Sequence, residues 1–378
     1  MHGKIQTTGF TNFRRRYLKN KLLKIKMAID KILKLYKEKI ELRLKTFLDE
    51  KISEAEKISD SSREIMQYIK EFNLRGGKRI RSVLIIMAYK SLGGKNENAI
   101  IDIAVSAELM QSFLLIHDDI IDNDDLRRGG PTMHIIYAEK YKSYDNPKKF
   151  GESMAIIAGD LLATIGNEII SKSDFDEEKK LKLLQKFNKV IKLTCYGQIV
   201  DVFSSLRTDV TEEDISKMHK LKTAVYTIEG PLHMGAIAAG ASDDQLKTLT
   251  DYAIPLGMAF QLKDDILGLF GSEEKLGKPA DSDIKEGKKT ILILKAIENA
   301  DKEQKEFIEN ALGNKNITEK ELIKVREIIK KTGSLDYSQH LAEKLVKKAK
   351  DAIKNSDFEK QGKDFFWEIA DYIIKRDY

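Results

Sequence analysis

Helix-breaking residues are rare in this chain, and their scarcity limits the folds open to it. Only five prolines interrupt the 378 residues, and the stretches between them are rich in Lys, Glu, Leu, Ile and Ala, which favour helices. Alternating β-branched runs are nearly absent, so strands are not expected. The sequence predicts an all-α protein with helices over about 17–51, 54–72, 79–92, 97–122, 150–172, 176–205, 212–240, 243–270 and 289–300, and several more towards the C-terminus.

Capping and proline positions refine this prediction. Thr318 followed three residues later by Glu321 forms a capping-box pattern, which indicates the start of a helix. Pro231 and Pro255 lie inside helical patterns. Because proline cannot donate the helical hydrogen bond and its ring crowds the preceding turn, both are expected to kink their helices.

Residues 1–27 are interpreted as a basic N-terminal extension, and residues 28–378 as one domain. The segment from Arg14 to Lys39 carries eleven basic residues and two acidic ones. Apolar residues recur through it at helical spacing, namely Leu18, Leu22, Ile25, Ile29, Ile32, Tyr36 and Ile40. A basic amphipathic helix can make weak contact with an anionic membrane surface. Packing of the apolar stripe on the protein body is favoured, because such stripes usually face a core.

Composition excludes several classes of protein. Cys195 is the only cysteine; an internal disulfide is therefore excluded, and its apolar surroundings predict a buried, inert thiol. No uninterrupted apolar run reaches the roughly 20 residues that span a bilayer, and the N-terminus lacks the apolar core of a secretory signal. A cytoplasmic location is expected. The net charge of +6 is modest and is not accompanied by a nucleic-acid-binding motif, so no nucleic-acid partner is expected.

The first informative motif is an acidic cluster that ends an apolar helix. Asp118 and Asp122 are four residues apart and share a helix face, with their side chains about 5–6 Å from one another at the base. Two carboxylates at this spacing repel each other unless a cation lies between them. Oxygen ligands on one side of a cavity suit Mg²⁺, which usually takes its other ligands from water and a substrate phosphate. Asp119 points aside and is assigned a supporting role.

A second acidic pair, Asp264 and Asp265, ends another apolar helix. Carboxylates near a helix C-terminus are unfavourable because the helix dipole there prefers cations. A single pair of this kind is most often a solvated turn. Two pairs at helix ends, each followed by basic residues, instead favour a metal-bound diphosphate site in which acidic groups hold the metal and basic groups hold the phosphates.

The clusters belong to a longer series of motifs that resembles the trans-isoprenyl diphosphate synthases, in particular the short-chain archaeal geranylgeranyl diphosphate synthases. In chain order the motifs are Gly76-Gly77-Lys78-Arg79-Ile80-Arg81, Asp118-Asp119-Ile120-Ile121-Asp122 with Arg127-Arg128-Gly129, Gly197-Gln198-Ile199-Val200-Asp201, Lys222-Thr223, Gln261 with Asp264-Asp265, and Leu276-Gly277-Lys278-Pro279 through Gly287-Lys288-Lys289-Thr290. Together they cover residues 50–378. One departure is Gly268, which stands where the second aspartate motif often has a third Asp.

The resemblance implies a fold, a reaction and a metal. The expected fold is a single large helical bundle of the isoprenoid synthase type around a deep central cavity. The expected reaction condenses isopentenyl diphosphate with an allylic diphosphate (dimethylallyl, geranyl or farnesyl) through ionisation, condensation and loss of a proton to the departing diphosphate. Mg²⁺ is the expected cofactor, and a homodimer is the expected assembly.

The resemblance also implies roles for individual residues. Direct Mg²⁺ ligands are expected at Asp118, Asp122 and Asp264, with Asp119 and Asp265 in support. The allylic diphosphate is expected to contact Arg127, Lys222 and Lys278, with help from Lys288. Isopentenyl diphosphate, which needs no metal in this scheme, is expected to contact Lys78, Arg81, Gln111 and Arg128. Dipoles near the developing cation are expected from Thr223, Gln198 and Gln261.

Product length is expected to depend on the helix that carries the first motif. Phe113 and Leu114 lie five and four residues before Asp118, one turn below it on the wall of the cavity that must hold the growing tail. An aromatic residue at the fifth position without one at the fourth resembles the archaeal C20 synthases. The prediction is therefore geranylgeranyl diphosphate. Phe113 as an ordinary core residue remains nearly as well supported.

Three alternatives remain open. A synthase of farnesyl, geranylfarnesyl or hexaprenyl diphosphate would differ only in the depth of the cavity. A terpene cyclase would share the first motif, but it should lack the pair Asp264 and Asp265 of the second. A non-catalytic regulatory subunit would usually have lost aspartates from the motifs, and both motifs are present here.

Overall fold

A computed structural model describes residues 7–271 and 282–374, with side chains described for residues 29–271 and 283–374. Its helices are α1 (Thr7–Glu56), α2 (Asp60–Leu74), α3 (Ile80–Ser91), α4 (Glu97–Ile121), α5 (Met133–Lys140), α6 (Pro147–Ser171), α7 (Glu177–Leu206), α8 (Glu212–Met218), a π-helical segment (His219–Glu229), α9 (Gly230–Ala239), α10 (Asp243–Phe270), α11 (Ser282–Lys285), α12 (Ile291–Asn299), α13 (Lys302–Ala311), α14 (Glu319–Lys331), α15 (Ser334–Lys354) and α16 (Lys360–Ile374). The only strands in the described residues, β1 (Leu126–Arg127) and β2 (Gly130–Pro131), pair in one short antiparallel ribbon. The all-α prediction is confirmed.

The stretch predicted as one helix over 212–240 is divided. Between α8 and α9 the chain forms eleven residues of π-helix, His219–Glu229, which sequence periodicity did not indicate. In a π-helix the hydrogen bonds run from i to i+5, and such segments are rare and concentrated at functional sites. Pro231 does not kink the middle of a helix but lies in the first turn of α9, where its missing N–H costs nothing.

Burial of apolar faces explains how the helices are arranged. α4 is apolar on nearly every side and packs against α6 and α3, while α10 packs against α15 and the π segment. Most buried side chains form one large core that extends from α1 to α16. A smaller core, which includes Ile266, Ile284 and Leu292, joins the end of α10 to α11–α14. The capping box at Thr318 and Glu321 opens α14 as predicted.

The apolar stripe of α1 packs on the body in the part whose side chains are described. Ile29, Tyr36 and Ile40 are buried in the main core, which supports the packing interpretation for that part. Residues 1–6, and the side chains of residues 7–28, lie outside the described residues. The proposed boundary between residues 27 and 28 falls inside the continuous helix α1.

Two helices, α4 and α6, are long and apolar enough to cross a membrane by length and composition alone. Each carries acidic residues, for example Asp102 and Asp160, so neither is an uninterrupted apolar run. The most apolar window of α4 is 78% buried inside the protein, and that of α6 is 44% buried. The apolar surface of α4 is therefore used mainly for packing.

A buried polar network joins the π segment to α7 and α10 and makes folding sensitive to pH. Lys186 Nζ donates to Glu229 at 3.0 Å, and His233 Nε2 lies 2.9 Å from the hydroxyl of Thr250. Burial lowers the pKa of His233 to about 4, whereas the unfolded chain binds this proton near pH 6.5. Between these values the unfolded state binds more protons, so stability falls as the pH is lowered from about 6.5 to about 4.

We therefore expect His233→Gln to reduce the pH dependence of folding. Between pH 7 and pH 4.5 the wild-type protein should lose about 2–3 kcal/mol more unfolding free energy than the variant. Urea titrations of both proteins at the two pH values measure this difference. Equal losses in the two proteins would show that His233 binds its proton equally well in the folded state.

Candidate active site

The first acidic cluster lies where α4 ends. Asp122 is the C-terminal cap of α4, and its N–H donates to the carbonyl oxygen of Asp118 at 2.8 Å. Asp118 and Asp122 are half-buried, whereas Asp119 is fully buried. Burial raises the pKa of Asp119 to about 6, although Arg127, whose Nε donates to Asp119 Oδ1 at 2.6 Å, acts in the opposite direction. The accessible carboxylates of this motif are therefore Asp118 and Asp122, while Asp119 anchors Arg127.

The β1–β2 hairpin carries the two arginines that follow this cluster. Its turn residues, Arg128 and Gly129, have φ values of 52° and 76°, which is the backbone required by a type I′ turn. Arg127 is also bonded to Asp124 at 2.7 Å, so two carboxylates hold its guanidinium. Arg128 lies on the other side of the turn, where Nη1 donates to the carbonyl oxygen of Gly76 at 3.2 Å. The hairpin thus directs its two arginines to different neighbours.

The second acidic cluster lies in the last two turns of α10 and faces the π segment. Thr223 Oγ1 donates to Gln261 Oε1 at 2.6 Å, and Gln261 Nε2 donates to Asp265 Oδ1 at 2.8 Å. Asp265 is buried and its Oδ2 accepts no hydrogen bond, although His219 Nε2 lies 3.4 Å away. Asp264 lines the adjoining cavity. These bonds fix the predicted residues Thr223, Gln261 and Asp265 relative to one another.

Two partly buried lysines lie between the acidic clusters. Lys222 Nζ is 2.5 Å from Asp201 and 3.5 Å from Asp118, and Lys288 Nζ is 3.1 Å from Asp122. Burial disfavours the charge of both lysines, but the surrounding carboxylates outweigh it, so the pKa of each is raised. Both lysines are therefore permanent cations beside carboxylates that face the cavity.

Gly197 allows α7 to approach the π segment at Lys222. A Cβ at this position would lie 2.4 Å from the backbone nitrogen of Lys222 and 2.7 Å from its Cα, closer than real Cβ atoms come to backbone. Any side chain there would have to displace the lysine. Close helix approach is the physical reason that glycine suits this position.

Three of the residues expected to hold isopentenyl diphosphate lie together on α3, α4 and the hairpin. The amide oxygen of Gln111, in the orientation that satisfies both neighbours, accepts from Arg81 Nη1 at 3.3 Å and Arg128 Nη2 at 3.1 Å. Arg81 also stacks on the ring of Tyr226, with 4.1 Å between its Cζ and the ring centroid. Lys78 is exposed, with its Nζ 5.5 Å from the ring centroid of Tyr372 on α16. Two guanidinium groups thus converge on one amide, as a diphosphate site requires.

Arg79, between Lys78 and Arg81 in the sequence, has a structural role. Its side chain is 1% exposed, and its guanidinium bonds Glu108 at 2.8 Å and the carbonyl oxygen of Asn73 at 2.7 Å. Glu108 is equally buried, with 2% exposure. The buried ion pair between Arg79 and Glu108 therefore attaches the turn that carries the Gly-Gly-Lys-Arg motif to α4.

Two cavities adjoin at Lys222. The first, of about 370 Å³, is polar and is lined by residues of the second cluster and its neighbours, including Thr223, Gln261, Asp264 and Lys288. The second, also of about 370 Å³, is mainly apolar and runs along α4 and α7. It is lined by Phe113, Leu114, His117, Asp118, Cys195, Gln198, Ile199, Val202, Phe203 and Tyr226, among others. A charged compartment therefore opens beside an apolar one, as an amphipathic substrate requires.

Cys195 corrects one prediction. It is exposed on α7 rather than buried, and it lines the apolar cavity. Its surroundings still raise the pKa of the thiol through burial of part of the side chain. A raised pKa keeps the thiol protonated at neutral pH. The thiol is therefore still expected to be unreactive, because of its pKa rather than because of burial away from solvent.

The donor atoms fit a divalent cation that is completed by its substrate. Asp119 Oδ2 and Asp265 Oδ2 are buried oxygens without a hydrogen-bond donor, and hard cations such as Mg²⁺ prefer oxygen ligands. In the described part of the chain, no three acidic, histidine or cysteine side chains converge on a single point. The carboxylates therefore offer two partial ligand sets, at the ends of α4 and α10, and phosphate oxygens would supply the remaining ligands.

Most of the predicted site residues are brought together. The exceptions are Lys78, which lies near the ring of Tyr372, and Lys278, which lies outside the described residues. Three residues near the clusters received no role from the sequence. Asp201, in a motif that was recognised, binds Lys222; His219 lies beside Asp265, one turn before Lys222; Asp283 lines the polar cavity. The position of His219, one turn from the Lys-Thr pair, was the signal that could have identified it.

Comparison with known proteins agrees with this geometry. Residues 62–329 match the family model described as polyprenyl synthetase. The chain is 37% identical over 305 residues to a geranylgeranyl diphosphate synthase of Sulfolobus acidocaldarius, covering 80% of this chain and 87% of that protein. It is 32% identical over 306 residues to a geranylfarnesyl diphosphate synthase of Aeropyrum pernix, covering 80% and 91%.

A solved structure shows the same likeness. It is a geranylgeranyl pyrophosphate synthase from Corynebacterium glutamicum complexed with isoprenyl diphosphate and magnesium, which superposes with a TM-score of 0.86 at 29% identity over 92% of this chain and 99% of that one. The similarity extends over the helices that carry both acidic clusters. The chain therefore belongs to the polyprenyl synthetase family and is a trans-prenyltransferase.

Proposed function

We propose that this prenyltransferase is a Mg²⁺-dependent synthase of geranylgeranyl diphosphate, made from isopentenyl diphosphate and the allylic dimethylallyl, geranyl and farnesyl diphosphates. The single observation that carries the proposal is the junction at Lys222 of a cavity lined by carboxylates and lysines with an apolar cavity along α4. The first has the chemistry to hold a metal and a diphosphate, and the second has the chemistry to hold a prenyl tail.

Ionisation of the allylic diphosphate requires the leaving group to be neutralised. Mg²⁺ bound by Asp118, Asp122 and Asp264 would supply positive charge to the departing diphosphate. Lys222 and Lys288 contribute fixed positive charge from the protein, since their carboxylate neighbours keep them protonated. These charges stand in place before the bond breaks, and preorganised charge in a water-poor site lowers the barrier effectively.

The remaining polar residues orient the reactants. Arg81 and Arg128, joined through Gln111, would bind the second diphosphate and place the isopentenyl double bond towards the allylic carbon. The bond from Thr223 to Gln261 holds their dipoles beside the polar cavity, where positive charge develops on carbon. The released diphosphate is the base that we propose for the final proton loss.

The direct test is a product assay with purified protein. Isopentenyl diphosphate is supplied with each allylic diphosphate in turn, with Mg²⁺ and then with chelator. We expect a C20 product from every primer and none in the presence of chelator. A longer principal product, as in the geranylfarnesyl synthase relative, would retain the reaction and change its end point. No product from any primer would favour a non-catalytic regulatory subunit.

Phe113 is expected to limit the length of the product. Its ring is buried, lines the apolar cavity and packs edge-to-face on His117, with 5.0 Å between the ring centroids. Phe113→Ser removes this ring, and the main product should lengthen by at least one five-carbon unit because the tail can extend further. Chromatography of the dephosphorylated products measures the length. The control is Phe175→Ser, which removes a partly buried ring that packs on Tyr89 away from this cavity. An unchanged length in Phe113→Ser would remove this residue as the limit.

A homodimer in the cytoplasm completes the proposal. Support for the dimer comes from apolar side chains that α7 leaves exposed, namely Tyr196 and Leu206 together with Ile199, Val202 and Phe203, which also line the apolar cavity. Contiguous exposed apolar side chains often mark protein interfaces. Light scattering coupled to gel filtration would measure the assembly, and a monomer at assay concentrations would contradict it. Weak membrane contact by the basic N-terminal helix remains a secondary proposal, which vesicle sedimentation can test.

A further inference from the structure

The second aspartate motif ends in glycine, and the structure shows what fills the vacant position. Gly268 lies four residues after Asp264 in α10, so a side chain there would share the helix face of Asp264. A Cβ built at Gly268 would lie 2.8 Å from Oδ2 of Asp283. The carboxylate of Asp283 therefore occupies the volume that a side chain at position 268 would take.

Asp283 belongs to a different helix from Gly268. It lies in the short helix α11, and its carbonyl oxygen accepts from the backbone N–H of Lys288 at 2.9 Å. Its carboxylate is one of the charges, with Asp122 and Glu286, that outweigh burial and raise the pKa of Lys288. Asp283 thus belongs to the electrostatic environment of the polar cavity, although it is distant in sequence from α10.

The same cavity has an independent indication of a cation. Asp264, Asp265, Gly268, Asp283 and Lys288 all line it. Asp265 is 7% exposed, and its Oδ2 accepts no hydrogen bond. A buried carboxylate oxygen without a donor is costly unless a cation completes its surroundings.

We propose that Asp283 supplies, from α11, the carboxylate that the second aspartate motif lacks, and that it helps hold the metal bound to the allylic diphosphate. This inference rests on the proposed function, because it concerns the metal of that reaction. It assigns Asp283, which lies within the last of the recognised motifs but received no role there, a role as a metal ligand, either direct or through a bound water. The carboxylates of this metal site therefore come from two helices, α10 and α11.

The test exchanges the carboxylate between the two positions and measures metal binding without turnover. Calorimetry follows Mg²⁺ binding in the presence of geranyl thiolodiphosphate, in which sulfur replaces the bridging oxygen and resists ionisation. The variants are Asp283→Asn, Asp283→Ala, Gly268→Asp and Gly268→Asp with Asp283→Ala. Asp351→Asn, an exposed residue on α15, is the matched control.

We expect Asp283→Asn to weaken Mg²⁺ binding about 10- to 100-fold, the range found when groups that support a metal site are removed. Gly268→Asp alone should lower the melting temperature, because its Cβ would meet Asp283 at 2.8 Å and add a second negative charge. The double variant should recover at least tenfold of the affinity lost in Asp283→Ala, since the carboxylate returns from α10. Asp351→Asn should bind Mg²⁺ like the wild type.

The outcomes separate this inference from the proposed function. If the wild-type protein binds no Mg²⁺ with the analogue, the metal-dependent function itself fails. If the wild type binds Mg²⁺ and Asp283→Asn binds it equally well, Asp283 is only a structural partner of its neighbours and the inference is wrong. Melting curves without metal identify variants that do not fold; Asp283→Asn, which keeps the side-chain volume, then decides the question.

Discussion

Replacing Asp118 with Asn is expected to slow prenyl transfer about a thousandfold while leaving the fold intact. Asp118 is half-buried where α4 ends, lines the apolar cavity, and lies 3.5 Å from Lys222, which lines both cavities. An amide keeps the shape but removes the negative charge that a divalent cation requires. A metal contributes several kcal/mol of charge stabilisation to a transition state, and a loss of about 4 kcal/mol corresponds to about a thousandfold in rate.

Single-turnover kinetics with a radiolabelled allylic substrate would measure this rate. Asp125→Asn is the control, since Asp125 is an exposed carboxylate of the same acidic segment that lines neither cavity. We expect Asp125→Asn to retain the wild-type rate. Raising the Mg²⁺ concentration should restore only part of the rate in Asp118→Asn. Added metal compensates for the weaker affinity, but it does not correct the altered position of the bound metal. A rate within tenfold of the wild type would remove Asp118 from the metal site.

Arg79→Met is expected to lower the free energy of unfolding by about 3–5 kcal/mol, because it leaves Glu108 as a buried charge without its partner. Both side chains are almost fully buried, and the guanidinium also bonds Glu41 and the carbonyl oxygen of Asn73. Arg79 has a left-handed backbone, with φ of 52°, at the cap of α3. The ion pair therefore stabilises a turn that is unfavourable for a non-glycine residue.

Chemical denaturation of the variants tests this ion pair. Arg63→Met is the matched control, since Arg63 is 40% exposed and pairs only with carboxylates on the surface; such pairs contribute about 0–1 kcal/mol. Combining Arg79→Met with Glu108→Gln removes the unpaired charge, and it should recover part of the lost stability. A loss of less than 1 kcal/mol in Arg79→Met would show that water reaches Glu108.

The fold class and the site could be predicted from the sequence because both depend on local patterns. Scarce prolines and helical periodicity gave an all-α protein, and the acidic pair Asp264 and Asp265 at the end of an apolar helix identified residues that line the polar cavity. The burial of Arg79 could not be predicted from the sequence, because a basic turn has the same sequence pattern whether its arginine faces water or pairs with Glu108. Burial depends on which helices meet, and that is settled by packing rather than by local spacing.

Two further features depend on contacts distant in sequence. Asp283 lies near Gly268 only because the chain returns to the end of α10 after residues 272–281. His219 lies beside Asp265 because the π segment packs against α10. Neither pairing leaves a periodic trace in the sequence. The product length is uncertain from sequence for the same reason, because the depth of a cavity is set by several helices together.

The π segment has a consequence for how this enzyme can evolve. Its eleven residues carry Lys222 and Thr223 near one end and Glu229 at the other, and its wide turns accommodate more residues than α-helical turns do. Losing one residue would let the chain relax towards α-helix and rotate one end against the other by about 100°, which would turn Lys222 away from Asp118. We therefore expect this stretch to tolerate point substitutions more readily than the insertion or deletion of a residue.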